Sequence, residues 1–265
     1  MKLLVKLGGT LLDDGATRER LASQLAALAQ RMPLIVVHGG GKQMTRYLAD
    51  RGVESRFVNG LRVTTPEVLD AVIKVVAGSV SRQLVAALNR AGARAVGISG
   101  IDACLVEAVE MDPALGSVGR VTAANPALLD TLLGSGFLPV IACVAGDRSG
   151  RLYNVNADQM ASACAAAARV DQLIFLTDVE GVLDQNKQLL PRLTAAESQS
   201  LIESGAATGG MQAKLNAALS AMQQGVSQVR IAAGAAEGVV ERILAGEDAG
   251  TVLAANHTHS SAPFL

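Results

Sequence analysis

The chain is 265 residues long, carries 23 Lys plus Arg against 24 Asp plus Glu for a formal net charge of -1, and is 50% hydrophobic, 2% aromatic and 18% charged. That near-neutral balance, with two Tyr, four Phe and no Trp, supplies neither the basic footprint nor the stacking surfaces of a general nucleic-acid binder. Three cysteines without a CxxC pair (Cys104, Cys143 and Cys164) exclude a disulfide scaffold and read as small core residues of a reducing compartment. No uncharged apolar run approaches the ~18 residues of a membrane span. Lys6 interrupts the apolar run of the first twelve residues and Asp13-Asp14 stand where a cleavage site would be, so this segment reads as a first strand and the chain as a cytoplasmic protein. The length suits one large domain or two lobes sharing a sheet.

Leu3-Leu4-Val5 runs through Lys6-Leu7 into Gly8-Gly9, a buried strand entering a loop. Thr17 opens a helical pattern with Leu21, Leu25 and Leu28 on one face. Leu34 to Val37 is a second buried strand, ended by His38-Gly39-Gly40-Gly41 and followed by a helix to Arg51. This strand–helix–strand–loop–helix order predicts a parallel α/β sheet. Asn59-Gly60 between Arg56–Val58 and Leu61–Val63 predicts a hairpin with a type I′ turn. Thr65-Pro66-Glu67 predicts a helix start. Further along, Arg94 to Ile98 is a strand, 105 to 121 short irregular strands, Asn125-Pro126 a helix start, Leu138 to Val144 a strand and Asn156 to Ala168 an Ala-rich helix. Leu173 to Leu176 is a strand ending at Thr177-Asp178, and Thr194-Ala195-Ala196-Glu197 a capping box. Gly209-Gly210 precedes a helix through Gln224; Val229 to Ile231 is a last strand, Glu237 to Leu244 a last helix, and the tail from Ala254 is expected to fray.

Gly8-Gly9 and Gly39-Gly40-Gly41 each follow a strand and precede a helix, so their amides can approach an anion; tight turns are the plainer alternative. Gly41-Lys42-Gln43 is not a P-loop, and no GxGxxG follows a strand. Lys6 and Lys214 stand beside glycines, as phosphate-binding lysines would, although surface lysines do the same. Asn154-Val155-Asn156-Ala157-Asp158 opens a helix and reads as caps, or as Asn154 reaching a substrate with Asp158 holding the lysines. Arg62 is either a carboxylate clamp or a solvated hairpin charge. Asp178 ends a strand where ligands of parallel sheets bind. Only three histidines occur, His38, His257 and His259, which excludes a His-based triad or metal cluster. A lysine- and glycine-rich site without a base suits phosphorylation of a carboxylate, already ionised at neutral pH with a pKa of ~4.3.

Lys6-Leu7-Gly8-Gly9, His38-Gly39-Gly40-Gly41, Asn59-Gly60-Leu61-Arg62-Val63-Thr64, Asn154–Asp158, Thr177–Gly181 and Gly210-Met211-Gln212-Ala213-Lys214 occur in the order and spacing of the amino acid kinase family, which the chain resembles from Lys2 to Leu253. The resemblance implies a three-layer αβα sandwich around a mainly parallel sheet, two lobes sharing it: residues 1–170 for the acyl amino acid and dimerisation, residues 171–265 for ATP. It implies ATP-dependent phosphorylation of the side-chain carboxylate of N-acetyl-L-glutamate to the 5-phosphate, a step of arginine biosynthesis. Lys6 and Lys214 would stabilise the moving phosphoryl group and Asp158 would orient both. Gly8 and Gly9 toward the nucleotide, and Gly40 and Gly41 toward the substrate, would donate backbone N–H groups. Arg62 would grip the α-carboxylate and Asn154 the acetamido end. Asp178, Val179, Glu180, Gly181, Val182 and Leu183, with Ala206, Ala207 and Thr208, would surround ATP, and Mg²⁺ would ride on its phosphates without protein ligands. Ile98 to Ala103 departs from a Lys- and Gly-containing form common in the family. The first strand begins at Lys2, so a homodimer insensitive to arginine is expected. A kinase of carrier-bound aminoadipate or glutamate in lysine biosynthesis, or a non-catalytic nucleotide sensor, is the alternative.

Overall fold

A computed structural model describes residues 1–254. Eight strands form the main sheet, in the spatial order β12 (Arg192–Leu193), β14 (Thr251–Ala254), β13 (Gln228–Ala233), β11 (Gln172–Thr177), β1 (Leu3–Leu7), β2 (Leu34–His38), β8 (Leu138–Ala142) and β5 (Ala95–Ser99). All neighbours run parallel except β13 and β14. Strands β1, β2, β8 and β11 are buried at every residue, as near-continuous apolar runs covered on both faces must be.

Along β1, Leu3, Val5 and Leu7 face one layer, where α2 (Gly15–Ala29), α5 (Ser81–Arg90) and α10 (Val239–Leu244) supply Leu21, Leu25, Leu84, Leu88 and Ile243. Leu4 faces the other, built on α7 (Ala157–Ala167) and α9 (Gly209–Gln223) with Met160, Cys164, Leu215 and Ala218. The two-residue alternation of a strand thus sorts the two cores of the αβα sandwich. A second sheet of β6 (Val106–Glu110), β7 (Val118–Ala124), β9 (Val144–Gly146) and β10 (Leu152–Val155) closes on itself. A hairpin, β3 (Phe57–Val58) and β4 (Leu61–Arg62), stands apart; Asn59 and Gly60 both take positive φ, 49° and 78°, as a type I′ turn requires.

The first two loops lead into α1 (Gly9–Asp13) and α3 (Gly41–Ala49). Thr65 caps α4 (Pro66–Ala71), which continues through a π-helical segment, Val72–Val80, into α5. By length and composition the helix from Pro66 to Arg90 could cross a membrane, but half of its most apolar stretch is buried in the fold and Asp70 pairs with Lys74 on its surface. The capping box of α8 (Ala195–Glu203) forms as expected.

Several boundaries differ from the sequence expectation. Asp14, not Thr17, caps α2, accepting the Thr17 amide at 2.8 Å. The helix α6 (Ala127–Gly134) starts after Pro126, with Asn125 accepting the Ala127 amide. The expected strand from 138 to 144 divides at Cys143, where the chain leaves the main sheet for the closed one. Strands β10, β12 and β14 had no clear pattern, because two- to four-residue strands carry little periodicity. Ala254 ends β14, and the rest of the tail, with His257 and His259, lies outside the described residues. Cys143 and Cys164 are buried as expected, whereas Cys104 is exposed.

Candidate active site

Lys6 shares the sheet face of Leu4 and points toward α7, whose first turn presents Asp158. The Lys6 Nζ lies 2.7 Å from Asp158 Oδ1, and Lys214 Nζ, from the second turn of α9, lies 3.8 Å from Oδ2. The first is an ion pair off the axis of an aligned hydrogen bond. All three side chains are largely buried, at 8%, 6% and 14% exposure for Lys6, Asp158 and Lys214. Burial pushes the Lys214 ammonium below its ordinary 10.5, Asp158 pulls it back up, Lys6 depresses it and Asp178 raises it. Two ammonium groups around one carboxylate leave an excess positive charge away from water, which an arriving anion would neutralise. The polar run before the helix divides its labour. Asn156 is the cap, accepting the amides of Asp158 and Gln159 at 2.8 and 3.3 Å, while Asn154 turns into a cavity.

The glycine loops press together above Lys6. A Cβ on Gly9 would stand 2.7 Å from the Gly41 nitrogen, so only glycine permits this approach. Among the described residues, the amides of Gly9, Gly40 and Gly41 donate to no protein acceptor. Gly8 is a correction to the sequence reading: its N–H is spent on Leu176 O at 2.9 Å, extending the sheet ladder, and is not free for an anion.

A cavity of about 220 Å³ gathers Lys6, Gly9, Gly40, Gly41, Arg62 and Asn154, all from the first 157 residues. Arg62 is no solvated hairpin charge. It is half-buried over the Phe57 ring, 4.5 Å from its centroid, and donates to Ser55 Oγ, to Thr45 Oγ1 at 2.7 Å and to Gly41 O at 3.2 Å. Three of its five N–H groups are thereby engaged, and two remain for a ligand. Asn154 donates to Thr64 Oγ1 at 3.0 Å, which fixes its amide.

Of the residues expected around a nucleotide, Gly9 lines this cavity, and those after residue 170 lie outside it. Asp178, Val179, Glu180 and Leu183 are exposed past the carboxyl end of β11, with Ala206 and Thr208 exposed before α9. Gly181, Val182 and Ala207 are buried. Val182 and Ala207 belong to the core, the Val182 amide donates to Thr251 Oγ1, and Gly181 packs against Leu189 and Thr251. His38 pairs in register with Leu7 and so faces the layer opposite Lys6; it is fully buried, which pushes its imidazole down to about 4, and its Nδ1 sits 3.0 Å from Gly39 O. That places it as a neutral structural residue. A larger groove of about 980 Å³ between α7, α9 and β7 contains none of the charged site residues.

Sequence reasoning missed Ser55 and Thr45, the partners of Arg62, and the cavity walls Val72, Val76, Val118 and Cys143. Only Thr64 carried a signal, as the end of the Asn59–Thr64 motif.

Residues 1–233 match the model of the amino acid kinase family. Among curated relatives, the acetylglutamate kinase of Solibacter usitatus is 68% identical over 95% of this chain and 98% of its own. That of Geobacillus kaustophilus is 44% identical over 88% of this chain and 90% of its own. Among solved structures, the N-acetylglutamate synthase of Neisseria gonorrhoeae, complexed with coenzyme A and N-acetyl-glutamate, superposes with a TM-score of 0.85 at 26% identity. It matches 96% of this chain, which spans 59% of that longer one.

Proposed function

The chain belongs to the amino acid kinase family, and from that premise we propose that it transfers the γ-phosphoryl group of ATP to the side-chain carboxylate of N-acetyl-L-glutamate, giving N-acetyl-L-glutamyl 5-phosphate and ADP in arginine biosynthesis. The observation that carries this reading is the buried pair of lysines around Asp158, set beside glycine amides without protein partners and a small cavity that holds Arg62 and Asn154. The relatives named acetylglutamate kinase supply the substrate.

An oxygen of the substrate carboxylate attacks the γ-phosphorus as the bond to the ADP oxygen breaks, and the electron pair leaves with ADP. The carboxylate is ionised at neutral pH, so no proton needs removing and no histidine base is required. The transition state spreads charge over the phosphoryl oxygens, and stabilisation comes from positive groups already in place. Lys6 approaches from the strand and Lys214 from the helix, on either side of the transferring group, while Asp158 holds both ammonium groups and the amides of Gly9, Gly40 and Gly41 donate to oxygen. Arg62 holds the α-carboxylate and Asn154 the acetamido group. Asp178 to Glu180, Leu183, Ala206 and Thr208 flank the nucleotide. Gly8, Gly181, Val182 and Ala207 shape these loops from behind. Mg²⁺ would sit on the phosphates with water completing its shell; the described residues gather no group of three acidic, histidine or cysteine ligands.

In this reading residues 1–170 form the acyl-amino-acid lobe, since every cavity residue precedes 158, and residues 171–265 form the ATP lobe. The protein acts in the cytoplasm as a homodimer. The unpaired edge of β5 and the exposed face of the Pro66–Arg90 helix with Ile73 support that assembly, and light scattering checks it as twice 27.2 kDa. The function is tested by trapping the acyl phosphate with hydroxylamine in the presence of ATP and Mg²⁺, with N-acetyl-L-glutamate beside glutamate, aspartate and aminoadipate. Hydroxamate from N-acetyl-L-glutamate above the other three is expected; none from it would refute the assignment.

A further inference from the structure

One wall of the cavity comes from the π-helical stretch of the long helix. A π turn hydrogen-bonds five residues back and holds more residues than the 3.6 of an α-helix; here the Ser81 amide donates to Val76 O. Residues four apart stay close to one face of such a helix, as they do in an α-helix. Val72, Val76 and Val80 do so, at 1%, 4% and 5% exposure. Val72 and Val76 line the cavity, with Met44, Leu61 and Val118 completing an apolar floor under a rim of Lys6, Arg62 and Asn154. Val76 also bears on the glycine loop. Its Cγ2 stands 3.1 Å from where a Cβ on Gly40 would be, and Val80 Cγ2 stands 3.4 Å away. Gly40 and Val76 thus touch across a gap with no room for another methyl group.

We infer that Val76, set by the π-helical turn, determines specificity: it fixes the depth of the cavity and limits the acyl group of the substrate to acetyl. This rests on the proposed N-acetylglutamate kinase reading and adds a size limit to it. The cavity is small and its floor is made of well-packed valines, so an acyl chain longer by one methylene must displace packed side chains, and such a difference in a hydrophobic pocket discriminates by roughly 10- to 200-fold.

The test compares kcat/KM for N-acetyl-, N-propionyl- and N-butyryl-L-glutamate in the unsubstituted chain and in the variants Val76→Ala, Val76→Ile and Val80→Ala. Val80 touches Gly40 but does not line the cavity, so it reports on structural damage alone. Val76→Ala is expected to raise the propionyl-to-acetyl ratio by about tenfold or more. Val76→Ile is expected to raise KM for N-acetyl-L-glutamate with kcat less affected, and Val80→Ala to leave the ratio within twofold. A ratio within twofold in Val76→Ala, or the same shift in Val80→Ala, overturns the inference even where N-acetyl-L-glutamate is phosphorylated normally. An unsubstituted chain inactive on all three N-acyl-L-glutamates would instead overturn the functional reading itself.

Discussion

At the scale of single residues, Lys214 shows how environment shifts the titration of an ordinary side chain. Burial favours its neutral form and outweighs the pull of Asp158, so it releases its proton at a lower pH than the 10.5 of a free lysine. The sign follows for both stability and rate. Between its lowered pKa and 10.5 the unfolded chain binds more protons than the folded one, so stability gains from this group as pH rises. The role proposed for Lys214 needs the charged form, so kcat is expected to fall on the alkaline side before 10.5. Lys214→Arg, which stays protonated, is expected to lower kcat but carry that alkaline limb upward; a limb unmoved in the variant would assign the titration elsewhere. The segment Ile98–Ala103 is held by equally local contacts. Ala103 and Cys104 both take positive φ, 50° and 53°, and Asp102 ties the segment back by accepting from Ser99 N and Oγ. Lys6, Asp158 and Lys214 were legible because each lies at a strand end or helix start marked by glycine or a cap. The unavailability of the Gly8 amide was not, since it depends on Leu176, which is 168 residues away.

Among elements, the two glycine loops act as one. Gly9 lies against the backbone of Gly40 and Gly41, whereas nothing stands within 4 Å of where a Cβ on Gly41 would be. Substitutions separate these roles. Gly9→Ala is expected to push the loops apart, lowering kcat by about tenfold or more together with stability; Gly41→Ala is expected to keep its unfolding midpoint while raising KM for the acyl amino acid. Equal behaviour of the two in denaturation and steady-state kinetics would contradict the tight packing at Gly9. The hairpin was legible from Asn59-Gly60 and the αβ alternation from apolar runs. The π turn was not, because composition does not distinguish a helix of 3.6 residues per turn from a wider one, and the valine wall it builds stayed hidden with it.

For the molecule as a whole, β1 joins the two halves: it pairs with β2 on one side and with β11 on the other, residue for residue. Lys6 therefore stands between the cavity of Arg62 and Asn154, which it helps to line, and α9 with Lys214. Parallel order and the three layers could be read from the sequence; the closed second sheet could not, since its strands are short and pair across distant segments. The most direct measurement is the hydroxamate rate of Lys6→Ala and Lys214→Ala with saturating ATP and N-acetyl-L-glutamate. Loss of one preorganised charge is expected to lower kcat by about 10²-fold or more in each variant, while near-normal turnover in either folded variant would contradict the two-lysine account of phosphoryl transfer.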